Sequence, residues 1–98
     1  MFVSAWKGGT EGYGVRVARS DVRKHFDSGW TDVQVEIDGS LYRFNLTGTF
    51  FTTCPELRGG PIRDWLNDQG LIPWLKGRPP KFEMIPLEGA RFRLERAK

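Results

Sequence analysis

The sequence holds one cysteine, Cys54, and one histidine, His25, among 98 residues. A lone cysteine cannot close an internal disulfide, and it fits a reducing, cytoplasmic setting. No two Cys or His positions form a ligand pair, so a metal site is not expected. A nucleophilic pair would need His25 and Cys54 to meet in space, which nothing in their spacing requires. The simpler reading is a helix-flank histidine and a small buried apolar thiol. Asp64 and Asp68 stand at i, i+4, but on a helix face expected to be wet and shared with Arg63. No catalytic set and no cofactor site emerges, and the chain is not expected to be an enzyme.

Long apolar runs are also missing. No stretch approaches the roughly 20 apolar residues of a membrane-spanning helix. Residues 1–9, MFVSAWKGG, lack the basic start and apolar run of a signal peptide. A membrane partner is not expected. Residues 7–12, KGGTEG, are rich in glycine but contain no Gly-Lys-Ser/Thr, do not fit G-x-G-x-x-G and lead into a strand rather than a helix. A nucleotide-phosphate cradle is therefore not expected there.

What is present suffices for one domain, residues 1–98. Apolar residues make up 39% of the chain, with four Trp and seven Phe, and a chain of this length buries roughly 60–70% of its unfolded surface. The clearest local signal is residues 31–46, TDVQVEIDGSLYRFNL. Asp38-Gly39 tolerates the positive φ angles of a two-residue type I′ turn. That turn sets Ile37 opposite Ser40, Val35 opposite Tyr42 and Val33 opposite Phe44, with Gln34 across from Arg43 and Asp32 across from Asn45. One face is then largely apolar on both strands and the other mostly polar, with Leu41 the exception, and a one-residue slip would destroy the match.

Other elements follow from pattern and capping. Residues 2–6 and 13–17 alternate as two strands. Ser20 is placed to cap a short helix on which Val22 and Phe26 share a face. Residues 47–58 read as irregular and rich in hydroxyls, with Phe50 or Phe51 needed as an anchor. Pro61 suits the first position of a second helix, where no amide donor is needed, and Gly70 its left-handed C′ position, with Ile62, Trp65 and Leu66 as the buried stripe. Residues 71–80 carry too much proline and glycine for a regular element. A closing hairpin follows, with Phe92 and Leu94 facing in and Arg91 and Arg93 facing out. The expected fold is α+β and mostly β: a six- to seven-stranded, largely antiparallel open pseudobarrel with two short helices at its ends.

Charge is uneven along the chain. The formal balance is +3, but residues 31–57 carry −3 while both flanks are basic. Ten of the fifteen basic residues are Arg, whose planar fork suits phosphate or guanine. Lys7, Arg58, Arg63, Lys76, Arg78 and Lys81 fall in or beside expected loops, with Thr10 and Thr49 among nearby hydroxyls able to meet phosphate oxygens. Tyr13 borders the glycine loop. The acidic hairpin is expected to face away from any polyanion.

In order, the segment from Lys7 through G-x-x-x-G-Y-G-V-R-V-A-R-S-D-V-R-K-H-F, the V-x-V-x-I-D-G-x-x-Y-x-F hairpin, an Arg-bearing loop and a helix resembles the B-three DNA-binding pseudobarrel. That fold belongs to plant transcription factors and to effector domains of restriction enzymes of the EcoRII type. The chain is also similar to an uncharacterised type of small bacterial protein with W-x-K-G-x-P-P and R-F-R-L, here Trp74 to Pro80 and Arg91 to Leu94. The first resemblance implies a non-enzymatic module that grips duplex DNA with two loop arms. Here they would be residues 7–13 and residues 47–63, giving Lys7, Thr10, Tyr13, Thr49, Arg58, Arg63, Lys76, Arg78 and Lys81 as candidate DNA contacts. Glu11 and Glu56 are departures, since each places an acid within an arm. The alternative partner is another protein, met by the same barrel through exposed Leu41, Leu71 or Trp74.

Overall fold

Alternation of apolar residues with period two recurs through the chain, and the computed structural model, which describes residues 1–9 and 12–96, turns it into seven strands and two helices. The elements are β1 (Phe2–Gly8), β2 (Gly12–Val17), α1 (Arg19–His25), β3 (Asp32–Ile37), β4 (Ser40–Asn45), β5 (Glu56–Arg58), α2 (Gly60–Asp68), β6 (Lys81–Pro86) and β7 (Arg91–Arg96). One sheet holds all seven strands in the order β4-β3-β7-β6-β1-β2-β5. Every pairing is antiparallel except β3 with β7. The sheet curls without closing, since no ladder joins β4 to β5 among the described residues. The fold is thus the open, mostly β pseudobarrel with two short helices.

The β3–β4 register is the one that the Asp38-Gly39 turn dictates, with Ile37 opposite Ser40 and Val33 opposite Phe44. Asp38 has φ +50° and Gly39 φ +83°, the left-handed pair that a type I′ turn requires. Inward-facing Val3, Ala5, Val15, Val17, Val33, Val35, Phe82, Met84, Phe92 and Leu94 supply most of the core. An aromatic cluster fills one part of it: Phe26 stacks on Phe92 at 4.7 Å and meets Phe50 at 5.0 Å, and Trp30 stands edge-on to both Phe26 and Phe92. Phe50 is thus the anchor that residues 47–55 needed, with Phe51 half-buried against it.

α2 follows its sequence signals closely. Proline stands in its first turn, and Ile62, Trp65 and Leu66 are buried. Trp65 packs 4.7 Å from Phe82. Gly70, at φ +69°, donates to the Asn67 carbonyl, and the Leu71 amide reaches back to the Leu66 carbonyl. These are the two bonds of a Schellman stop, which satisfies carbonyls that the last helical turn would leave open.

Two expectations are corrected. Ser20 does not cap α1: the N-cap is Ala18, with no side-chain hydrogen bond, and the Asp21 and Val22 amides donate to the Ala18 carbonyl. The helix begins there because β2 ends one residue earlier, where the Val17 amide donates to the Pro55 carbonyl. Residues 47–58 are also not wholly irregular. Glu56–Arg58 pairs with β2, setting Gly14 against Arg58, Val15 against Leu57 and Arg16 against Glu56. Three residues give no readable alternation, so this strand is defined by its partner rather than by its own pattern.

Candidate nucleic-acid interface

The curled half of the sheet made by β6, β1, β2 and β5 has an outer face that the registers specify. Because Val3, Ala5, Val15, Val17 and Leu57 point inward, their strand neighbours point out. Lys81, Ser4, Arg16 and Glu56 form one cross-strand row. Trp6, Gly14 and Arg58 form the next. With no side chain on Gly14, the Arg58 guanidinium reaches over β2 and lies 4.7 Å from the Trp6 ring centroid. A Cβ on Gly14 would run into the Leu57 carbonyl oxygen, so the glycine also permits the close approach of β5. Gly8 makes room for the same indole, since a Cβ there would collide with the Trp6 ring.

Glu56 is the charged side chain buried in this region, only 3% exposed, and it sits between two arginines. Its Oε2 accepts from Arg16 Nε at 3.2 Å and its Oε1 from Arg58 Nη2 at 3.4 Å. Burying a carboxylate is costly unless it is paired and hydrogen-bonded. Two guanidiniums meet that need here, and the trio keeps a net positive charge.

At the rim, Lys7 Nζ lies 5.9 Å from the Tyr13 ring centroid, and Tyr13 stands edge-on to Trp74 at 6.0 Å. Tyr13, Arg58 and Arg63 line one open cleft with Gly12, Gly59 and Gly60. The positive end of the α2 dipole adds to it. A second cleft, in the seam between β4 and β5, continues from Arg58 and Gly59 to Arg43, Asn45 and Thr47. Arg43 meets an acid only at 4.0 Å, in an exposed pair with Asp32. A third cleft, lined by Phe2, Ser4, Arg16, Arg19 and Thr53, opens beside the first row.

Of the residues chosen from sequence, Tyr13, Arg58 and Arg63 line one cleft, and Lys7 lies beside Tyr13. Lys81 lies on the same outer face, in the row of Arg16. Lys76 and Arg78 are exposed on a turn that follows Trp74, closed by the Arg78 amide donating to the Leu75 carbonyl. They make no ion pair among the described residues. Thr49 is exposed, and its hydroxyl stands 3.3 Å from that of Thr47. Thr10, with Glu11, lies outside the described residues.

Sequence reading missed Trp6, Arg16 and Arg43 as members of this surface, and it treated Glu56 only as an unwanted acid. Trp6 was legible, since it alternates with Val3 and Ala5. Arg43 was not: local pattern places it on the acidic hairpin, and only the curl of the sheet brings β4 against β5. The Arg43–Asn45 end of that hairpin lines the seam beside Arg58. Of Leu41, Leu71 and Trp74, only Leu41 is exposed; the other two are half-buried and packed against the core.

His25 and Cys54 are each half-buried, and no cluster of three or more His, Cys, Asp or Glu side chains able to hold a metal occurs among the described residues. No described helix is long and apolar enough to cross a membrane. Comparison of the chain with protein-family models, with curated proteins and with solved structures found no match.

Proposed function

We propose that this domain is a non-enzymatic DNA-binding module that meets duplex DNA with the outer face and rim of β1, β2 and β5 and the start of α2. The observation that carries the reading is the outer-face group of Trp6, Arg16 and Arg58, met at the rim by a cleft that Arg58 shares with Tyr13 and Arg63, with Lys7 beside Tyr13. Arg43 extends it along the seam and Lys81 along the sheet. Clustered cations release counterions from a polyanion and supply affinity that does not depend on sequence. Tyr, Thr and Asn side chains beside them can donate to phosphate oxygens. The open sheet with two short helices agrees with the architecture implied by the resemblance to the B-three pseudobarrel, and kinship with that group is part of the proposal.

In this mode Lys7 and Tyr13 act from the β1–β2 end, Arg58 and Arg63 from β5 and α2, and Lys76 and Arg78 from the turn beyond Trp74. Thr49 would be a peripheral hydroxyl contact. Chemical-shift mapping by NMR during titration with a mixed-sequence duplex tests the placement. Perturbations are expected at Trp6, Tyr13, Gly14, Arg58 and Arg63. Perturbations confined to Glu83, Glu88 and Glu95, with none on the arginine surface, would contradict it.

A further inference from the structure

Resting on that DNA-binding reading, we infer that Arg58 is the residue that reads a guanine edge in the major groove, and that buried Glu56 is the positioning residue that sets it for this task. The cations of the surface are not equivalent. Arg63, Lys76 and Arg78 make no ion pair among the described residues, so each keeps its full charge and its conformational freedom. Such groups suit phosphate, which rewards charge and tolerates many approach angles.

Arg58 is held differently. Its Cζ lies 4.7 Å from the Trp6 ring centroid, and Nη2 donates to Glu56 Oε1, while the side chain stays 46% exposed. The carboxylate at 3.4 Å offsets part of its charge, which weakens its pull on a phosphate. The same contact and the indole fix the plane of the fork. Of the five N–H donors on a guanidinium, the Glu56 contact engages one and leaves four on a side chain that is 46% exposed. Guanine O6 and N7 present two coplanar acceptors and no formal charge. An oriented, partly neutralised donor fork matches that edge better than it matches a phosphate. Arg16 anchors the opposite oxygen of Glu56 and keeps the carboxylate from turning away.

The test uses the whole chain and a randomised 20-base-pair duplex pool. Wild type is expected to enrich at least one fixed guanine. Replacing that guanine by 7-deazaguanine, which lacks N7, should weaken binding by about tenfold or more, whereas inosine, which keeps O6 and N7, should bind as guanine does. Arg58→Met removes every donor, so it should still bind the pool, with a salt slope smaller by no more than about one, but lose the guanine preference. Glu56→Gln should lose most of the preference with less loss of overall affinity, a split that a merely structural role would not give. Retention of the preference in Arg58→Met, or salt-dependent binding by wild type with no base preference, would overturn the inference and leave the DNA reading standing. Failure of wild type to bind any duplex at low salt would overturn both.

Discussion

The Arg58 guanidinium lies 4.7 Å from the centroid of the Trp6 ring, across a glycine on the strand between them. Cation–π contacts at exposed positions contribute about 0.5–1 kcal/mol. Trp6→Leu keeps apolar bulk and removes the aromatic face. In a double-mutant cycle with Arg58→Ala, urea denaturation should give a coupling energy of about 0.5–1 kcal/mol. A coupling indistinguishable from zero would mean that the stack does not hold Arg58 in solution.

Gly14 is needed for space rather than for an unusual backbone angle, since its absent Cβ would meet the Leu57 carbonyl. Gly14→Ala should push β5 away from β2 and cost about 1–3 kcal/mol, the range for overpacking a tight site. Thermal melting followed by circular dichroism checks the loss. Loss of protection of the Val15 and Leu57 amides in hydrogen exchange, the hydrogen-bonded pair between Val17–Pro55 and Tyr13–Gly59, would place it at this pairing.

The Glu56 trio should respond asymmetrically to truncation. Removing the carboxylate leaves Arg16 and Arg58, whose side chains are 58% and 46% exposed and can be solvated by water. Glu56→Gln should therefore cost only about 1 kcal/mol. Removing both arginines strands a buried carboxylate, and Arg16→Ala with Arg58→Ala should cost about 3–5 kcal/mol. Chemical denaturation of wild type, Glu56→Gln and the double variant decides. Equal losses for the two routes would contradict the burial of Glu56.

Core aromatics set the scale for these effects. Phe92 is 1% exposed and stacks on Phe26. Phe92→Ala should cost about 3–5 kcal/mol, a large part of the 5–15 kcal/mol that stabilises a typical domain. An equilibrium urea curve measures it directly; a loss below about 1 kcal/mol would mean that the aromatic cluster is not packed as described.

Legibility divides along the range of the interactions. The β3–β4 hairpin was readable to its register, because one turn dipeptide and a period-two pattern lie within sixteen contiguous residues. The α2 stripe and its Gly70 stop were readable for the same reason. Ser20 misled because Ala18, held by the end of β2, begins the helix two residues earlier than the capping chemistry suggested. β5 carries three residues and no pattern of its own, so its existence depends on β2. The surface was half readable. Basic residues in the second half of the chain announced themselves, but the meeting of Arg43 with Arg58 follows from sheet curl, and no local feature encodes that. Glu56 read as an obstacle to DNA because its burial between Arg16 and Arg58 is a tertiary fact.

The cationic surface can be tested first by fluorescence anisotropy with a labelled mixed-sequence duplex, beginning at low salt and repeated as salt rises. Engagement of four to six phosphates predicts binding whose log–log salt dependence has a slope of about −4 to −5, and neutralising Arg63 or Arg78 should flatten it by about one each. No rise in anisotropy at low salt, where attraction between this surface and a polyanion is strongest, would contradict DNA binding by this domain.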